Sequence, residues 1–152
     1  MTTKGTTVQY TDPADSSVDE LHGFVADLYA HLADRGAFDA RLDPGVTVWE
    51  TADPRLLHGI AELDELRGPA IAPEDRTTPL PLVEPTGVVA DRWGDTGVIR
   101  YLLEVRATAG APVTELVRVT DVVRRGDDGW RIVHHHATDI DPTDAPAGED
   151  NR

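Results

Sequence analysis

Residues 96–139 decide the fold; they read TGVIRYLLEVRATAGAPVTELVRVTDVVRRGDDGWRIVHHHATD. Their apolar and β-branched runs are broken by two glycine-containing turns, Ala109-Gly110 and Gly126-Asp127-Asp128-Gly129, of the kind that close antiparallel hairpins. A weaker run precedes them across Gly94-Asp95. The strands are predicted at 82–92, 96–107, 113–125 and 130–139. We therefore expect a four-strand antiparallel meander.

The part of the chain before this meander has a helical pattern. Ser17-Val18-Asp19-Glu20 is a capping box, and Gly36 is expected to end the helix that it begins. The apolar residues of this helix recur at helical spacing: Leu21, Val25, Leu28 and Leu32. Further elements are predicted as a short helical turn at 37–42, a strand at 46–50, a helix at 60–67 and a Pro-rich connection at 68–81. Helices followed by hairpins favour an α+β fold, with the helices on a curved antiparallel sheet and a pocket between the layers.

Length and charge limit the organisation and the partners. The chain has 152 residues, enough for one domain, which we place at 17–140 between solvated tails at 1–16 and 141–152. A net charge of −14 argues against nucleic-acid and anionic-membrane partners. The absence of cysteine excludes disulfides and thiol catalysis. No apolar run reaches the ~18 residues of a membrane span, and residues 1–17 lack a signal-peptide core, so we expect a cytoplasmic protein.

The order of the predicted elements, with the ending DDGWRIVHHHAT, resembles the nuclear-transport-factor-2-like superfamily over residues 17–140. The ending is similar to that of SnoaL-like polyketide cyclases and of the association domain of calmodulin-dependent kinase II, whose last strand has the same Gly-x-Trp and His-x-His pattern. The resemblance implies a cone-shaped α+β fold. Because this superfamily contains enzymes, ligand binders and assembly domains, the fold does not choose the function.

A second resemblance is to ketosteroid isomerase. Tyr29 lies seven residues before Gly36, Glu50 ends VTVWE, and Asp121 lies in VTDVV, as suitable residues do in that enzyme. The resemblance implies that Glu50 is the general base and that Tyr29 and Asp121 donate hydrogen bonds to an oxyanion. The sequence departs from the isomerase pattern at two positions. Glu50 lies where that enzyme has an aspartate base, and Thr51 lies where it has the proline that follows the base.

The neighbours of Asp121 also make it a candidate site residue on physical grounds alone. It lies in the middle of a strand with Val119 and Val123 on its own face, so its neighbours are expected to be apolar. Such surroundings favour a neutral carboxylic acid, which can donate a hydrogen bond. The alternative is a wet or interface position in which Asp121 pairs with an arginine.

Two arginines compete with this arrangement. Arg100 and Arg118 lie inside apolar strands and need anionic partners, for which Glu104, Glu115 or a carboxylate ligand are candidates. Arg118 has the opposite strand parity to Asp121, so without a bulge only one of the two faces the cavity. We also assign ligand contacts to the aromatic residues Trp49 and Trp93.

The three consecutive histidines suggest a metal site or a binding surface. His134 and His136 point to one face of a strand and His135 to the other, and a His-x-His pair can supply two nitrogen ligands. A third ligand would come from His58 or a carboxylate, but nothing in the spacing fixes one. We therefore expect no metal or cofactor and treat His134 and His136 as ligand-binding or interface residues.

Two functions remain open from the sequence. The first is proton transfer on an apolar carbonyl compound, by isomerisation, cyclisation or dehydration, with Tyr29, Glu50 and Asp121 as catalytic residues. The second is a non-catalytic module in which Arg100 and the histidines hold a small carboxylate or stabilise an assembly. In both cases we expect a homodimer or a larger homo-oligomer formed through the sheet, because few helices are available to cover its two faces.

Overall fold

The structure, a computed structural model, describes residues 13–146, with side chains from residue 18 onwards. Helices and strands follow one another as α1 (Pro13–Ala30), α2 (Arg35–Asp39), β1 (Leu42–Glu50), β2 (Asp53–His58), α3 (Gly59–Arg67), β3 (Leu82–Trp93), β4 (Thr96–Arg106), β5 (Val113–Gly126) and β6 (Gly129–Ile140). Short 3₁₀ helices lie at Pro73–Asp75 and Pro142–Asp144. The α+β fold with helices on a curved, mainly antiparallel sheet is confirmed.

All six strands belong to one sheet, in the order β2-β1-β6-β5-β4-β3. Four of the five strand pairs are antiparallel, and β1 pairs with β6 in parallel. The first strand of the chain therefore lies beside the last one, in the middle of the sheet.

The sheet has an inner face, which carries the three α-helices α1 to α3, and an outer face, on which none of them packs. Side chains on β4 and β5 alternate between the two faces, so Ile99, Tyr101 and Val119 are buried while Arg100 and Arg118 are exposed. Helix α1 packs on the inner face with its apolar stripe, Leu21, Val25 and Leu28, none of which is more than 1% exposed.

The α1 stripe approaches the sheet most closely at Gly97 of β4. A Cβ atom at this position would lie 3.0 Å from Leu21 Cδ1, 3.0 Å from the Asp91 carbonyl oxygen and 3.1 Å from Val123 Cγ2. Glycine is therefore needed here for the close packing of helix on sheet, although its backbone conformation is an ordinary one.

The meander β3–β6 agrees with the prediction, but β2 was not predicted. The sequence of β2, Asp-Pro-Arg-Leu-Leu-His, shows no alternation, and within it only Leu57 is buried. Pro54 is tolerated because β2 is an edge strand that pairs with β1 alone. The chain enters β1 earlier than predicted, at Leu42, because the Arg41 carbonyl already accepts a hydrogen bond from the Ile132 amide of β6.

Both predicted ends of the first helix were wrong, whereas the helix predicted at 60–67 is observed as α3. Helix α1 begins at Pro13, so Ser17 lies inside it and not at its N-cap, and it ends at Ala30, well before Gly36. Gly36 instead belongs to α2, which is capped by the Asp34 side chain accepting a hydrogen bond from the Ala37 amide.

The two predicted tails are only partly covered by the structure. The N-terminal tail loses residues 13–16 to α1, and residues 1–12 lie outside the described part of the chain. At the other end, the 3₁₀ helix Pro142–Asp144 contacts β5, and residues 147–152 lie outside the described part of the chain. Among residues 13–146, no helix is both long and apolar enough to cross a membrane.

Candidate functional site

A cavity of about 650 Å³ lies between the helices and the inner face of the sheet. Its wall is mostly apolar, with residues from α1, α2, α3 and four strands. The polar and charged residues that line it are Tyr29, Arg35, Glu50, Arg67, Glu115, His135 and Asp139. A concave, largely apolar space with a few polar groups is the usual form of a small-molecule site.

A chain of four hydrogen-bonded side chains forms one wall of this cavity. Asp121 is fully buried and accepts two hydrogen bonds, one from Tyr101 Oη to Oδ2 at 2.5 Å and one from His135 Nδ1 to Oδ1 at 2.6 Å. Tyr101 Oη lies 2.9 Å from Tyr29 Oη. We call Tyr29, Tyr101, Asp121 and His135 the polar relay; its two ends, Tyr29 and His135, line the cavity.

A bulge in β6 brings His135 into the relay. Counted from the Gly126–Gly129 pair at the hairpin turn, regular pairing would place Asp121 opposite His134. The register shifts between Val122 and Val123, leaving Val133 without a partner, so that Asp121 faces His135 instead. His135 thereby points to the cavity, while His134 and His136 point to the outer face. Bulges often re-aim side chains in this way beside functional sites.

The relay changes the proton affinity of its members. Burial and the charge of Asp121 raise the pKa values of Tyr29 and Tyr101 well above the usual value for tyrosine, so both hydroxyls stay protonated. Burial alone would lower the pKa of His135, but the charge of Asp121 and the hydrogen bond to it outweigh burial and raise that pKa above 6.5. Glu50 adds to this rise.

The cavity has more carboxylates without an arginine partner than arginines without a carboxylate partner. Its two guanidinium groups already have partners, since Arg67 forms a two-point ion pair with Asp39 at 2.8 and 2.9 Å and Arg35 lies 3.5 Å from Asp64. Among the described residues that line the cavity, the carboxylates Glu50, Glu115 and Asp139 have no such arginine partner. The cavity is therefore acidic.

The family model for the SnoaL-like domain matches residues 23–140, which include the whole sheet and the C-terminal part of α1. The chain belongs to this family. No curated protein matches the sequence.

Solved structures share the fold of this SnoaL-like domain at low identity. A hub homology domain of calmodulin-dependent kinase II from Chlamydomonas reinhardtii has 24% identity and a TM-score of 0.66, covering 82% of this chain and 98% of its own. A candidate dehydratase of the nuclear-transport-factor-2-like family from Streptomyces avermitilis has 22% identity and a TM-score of 0.66, covering 83% and 97%.

A candidate ketosteroid isomerase from Parabacteroides distasonis has 19% identity and a TM-score of 0.61, covering 82% of this chain and 88% of its own. At these identities the matches show the nuclear-transport-factor-2-like fold and not an activity.

The structure brings the three predicted catalytic residues of this SnoaL-like domain to the same region, but in different positions. Tyr29 and Glu50 line the cavity. Asp121 lies on the cavity side of β5, as the sequence indicated, but it has no exposed surface and does not line the cavity. The prediction that Asp121 itself donates to an oxyanion is corrected, because in this geometry the carboxylate accepts from Tyr101 and His135 and reaches the cavity only through the relay.

The residues predicted to bind a ligand lie on the outer face, away from the cavity. Arg118 is exposed there, as strand parity requires once Asp121 faces inward. The partner of Arg100 is Asp91 on β3, and neither Glu104 nor Glu115 nor a ligand is needed to balance it. Four further residues share this face: Trp49, Trp93, His134 and His136. None of the six lines the cavity, because each has the opposite parity to the cavity wall, so a ligand that they bind would lie on the outer face.

His135 and Tyr101 are the site residues that sequence reasoning missed. The His-x-His pattern drew attention to His134 and His136, whose ring centroids do lie 6.4 Å apart on one face. His134 Nδ1 lies 2.7 Å from Thr47 Oγ1, and His136 contacts the Trp49 ring. Within residues 13–146, no group of three or more histidine, aspartate or glutamate side chains is arranged to hold a metal ion.

Proposed function

We propose that this SnoaL-like domain catalyses proton transfer on a small, largely apolar carbonyl compound, in an isomerisation, cyclisation or dehydration, with His135 as the residue that carries the proton. The observation that supports this most strongly is the 2.6 Å hydrogen bond between His135 Nδ1 and the buried Asp121, at the wall of the cavity. A histidine oriented by a buried carboxylate is a common proton carrier.

The pair assigns a role to each nitrogen of the imidazole. Because the carboxylate accepts from Nδ1, the hydrogen of neutral His135 sits on Nδ1, and Nε2 is left with its lone pair. No described residue forms a hydrogen bond with Nε2. When Nε2 takes a proton from a substrate, the charge of Asp121 stabilises the imidazolium that results. Asp121 is thus a positioning residue.

Glu50 is the second proton-transfer group in the proposal. It ends β1 at the cavity, and it is near enough for its charge to raise the pKa of His135 and of Tyr29. In the ketosteroid-isomerase-like assignment Glu50 is the base. Because Glu50 and His135 line the same cavity, one can remove a proton from the substrate and the other can return it.

Hydrogen exchange at a ketone tests the proposal without knowledge of the natural substrate. We expect the protein to accelerate exchange of the α-hydrogens of 1-tetralone for deuterium, followed by proton NMR. His135→Gln should reduce the enzymatic rate by about 100-fold or more, the usual contribution of a positioned acid or base. The control His136→Gln, one residue away on the outer face, should keep the rate of the wild type.

Two results would contradict proton transfer by His135. One is the absence of acceleration by the wild type across a series of bicyclic ketones. The other is a His135→Gln variant as fast as the wild type. A loss confined to Glu50→Gln would leave the function in place and assign the base to Glu50 alone.

Assembly through the outer face is a second candidate function. It is supported by the exposure of Trp93, Val89 and Trp49, which are 63, 55 and 45% exposed on that face, and by the likeness to the kinase hub homology domain. We propose that a second copy of this chain covers these residues. Light scattering should show a dimer or larger species, which Trp93→Glu weakens; a strict monomer at micromolar concentration would contradict it.

A further inference from the structure

We infer, taking from the proposed function only that the cavity is the ligand site, that the polar relay binds its ligand through an O–H group of that ligand. The ligand class is a neutral alcohol or phenol on an apolar skeleton. A compound that offers only a carbonyl oxygen receives no hydrogen bond from the relay and is held by the apolar walls alone, because the relay presents hydrogen-bond acceptors and no donor to the cavity while His135 is neutral.

The two tyrosine hydroxyls of the relay can each donate only one hydrogen bond. The hydroxyl of Tyr101 has one hydrogen, and it donates that hydrogen to Asp121 Oδ2. The contact of 2.9 Å between the two tyrosine oxygens therefore has only one source of hydrogen, the hydroxyl of Tyr29. Tyr29 donates to Tyr101, and its oxygen has only lone pairs left for the cavity.

Turning the Tyr29 hydroxyl hydrogen away from Tyr101 would be energetically unfavourable. If Tyr29 turned its hydrogen towards a ligand, two hydroxyl oxygens would face each other at 2.9 Å with no hydrogen between them. Tyr101, which is only 4% exposed, would then accept no hydrogen bond in a site with little access to water. The relay is thus polarised towards Asp121, opposite to what an oxyanion hole at Tyr29 requires.

The other cavity atoms near the relay also accept. His135 has given its Nδ1 hydrogen to Asp121, so Nε2 of the neutral ring is an acceptor. Glu50 lines the same cavity and, as a carboxylate, can only accept. A ligand that binds this wall must supply the hydrogen itself.

The charges of the cavity exclude a carboxylate ligand. Glu50, Glu115 and Asp139 line it, while Nη1 and Nη2 of Arg67 are occupied by Asp39, and its Nε, which has no hydrogen-bond partner among the described residues, is buried. Arg35 donates to the Gly68 carbonyl at 2.6 Å and lies beside Asp64. An anion would meet net repulsion, whereas a neutral skeleton meets apolar walls.

Four probes that share one skeleton test this inference by NMR titration at about pH 9, where His135 is expected to be neutral. They are 2-naphthalenemethanol, its methyl ether, 2-naphthaldehyde and 2-naphthoate; the alcohol does not ionise, so it cannot bind as an anion. We expect the wild type to bind the alcohol about tenfold more tightly than the ether or the aldehyde, the value of about one hydrogen bond, and the carboxylate least.

Tyr101→Phe is the decisive variant, since it frees the Tyr29 hydrogen. We expect it to lose preference for the alcohol and to bind 2-naphthaldehyde more tightly than the wild type does. Tyr29→Phe removes the hydroxyl oxygen that accepts from the ligand and leaves the hydrogen bond between Tyr101 and Asp121 in place. It should therefore reduce the ratio of alcohol to ether affinity, and it can be measured even if Tyr101→Phe fails to fold. His136→Gln should keep the wild-type ratios.

Equal binding of alcohol, ether and aldehyde by the wild type would overturn the inference, as would tightest binding of the carboxylate. A preference for the alcohol without any ketone exchange would support the inference and contradict the proposed function. Ketone exchange without a preference for the alcohol would do the reverse, so the two fail separately.

Discussion

Strand β6 carries histidines on both faces of the sheet, but their surroundings change the pKa of the imidazole in opposite directions. On the inner face His135 is hydrogen-bonded to the buried Asp121, which raises the pKa of His135 despite burial. On the outer face burial and the neighbouring imidazoles lower the pKa of His134. The two histidines are adjacent in the sequence. The face of the strand, set by one bulge, therefore decides which histidine is hydrogen-bonded to Asp121 and has its pKa raised.

Asp121→Asn should show the largest difference between the faces. The amide would place an N–H group against either the Tyr101 hydroxyl or the His135 N–H, in a fully buried site. Removal of one partner from a buried pair costs about 3 to 5 kcal/mol, and we expect a loss at the lower end of that range in urea unfolding. Arg118→Gln on the outer face should change stability by less than about 0.5 kcal/mol. A stabilised Asp121→Asn variant would contradict the role of Asp121 as an acceptor.

Gly97→Ala tests how tightly the inner face is packed. The new methyl would lie 3.0 Å from both Leu21 Cδ1 and a carbonyl oxygen, so helix α1 or the strand must shift. We expect a loss of about 1 to 3 kcal/mol, typical of overpacking. Gly126→Ala, where a Cβ would meet nothing within 4 Å, is the matched control and should be nearly neutral. Equal melting temperatures for the two variants would contradict close packing at Gly97.

The pH dependence of stability should separate His135 from His134. A histidine with a raised pKa contributes stability that is present below its usual value of 6.5 and is lost as the pH rises through the folded value. His135→Gln should therefore destabilise the protein more at pH 6 than at pH 9. His134, with its lowered pKa, opposes folding as the pH falls below 6.5, so His134→Gln should cost less at pH 6 than at pH 9. Parallel profiles from urea unfolding would remove the distinction.

Arg100→Gln on the outer face should have the smallest effect. Arg100 and Asp91 form an exposed pair, with side chains that are 45 and 51% exposed. Pairs of this kind contribute about 0.2 to 1 kcal/mol, and salt weakens them. We expect a difference within that range, which disappears when unfolding is measured at high salt. A loss as large as that of Asp121→Asn would show that the outer face is not a simple solvated surface.

The fold was predictable from the sequence wherever turn chemistry and alternation agreed. The strands of the meander lie between turns at Gly94, Gly110 and Gly129, all of which adopt positive φ, and the sequence places these turns directly. Strand β2 was missed because its pairing with β1 is a tertiary contact that gives Asp53–His58 no pattern of its own. The start of α1 was missed because a good capping box at Ser17 lies inside a longer helix.

The site was less predictable because it depends on register. Asp121 was found from its apolar neighbours and Tyr29 from its helix position, and both are in the relay. Their partner His135 is brought there by the bulge at Val133, which no residue type in the sequence specifies. Tyr101 was hidden in a run that reads as ordinary strand. Single strands show which residues share a face, but not which residue a neighbouring strand places opposite.

The parallel pairing of β1 with β6 also fixes an order of folding. Strands β3 to β6 follow one another through short connections, whereas β1 must wait for β6, which lies far from it along the chain, and long loop closure costs entropy before its contacts form. The meander should therefore form first, with the edge of β6 unpaired until β1 docks. Because β1 carries Glu50 and Val48 to the cavity wall, the cavity is complete only after this late step. Until then, β6 offers an open edge to any other strand, including that of a second folding chain.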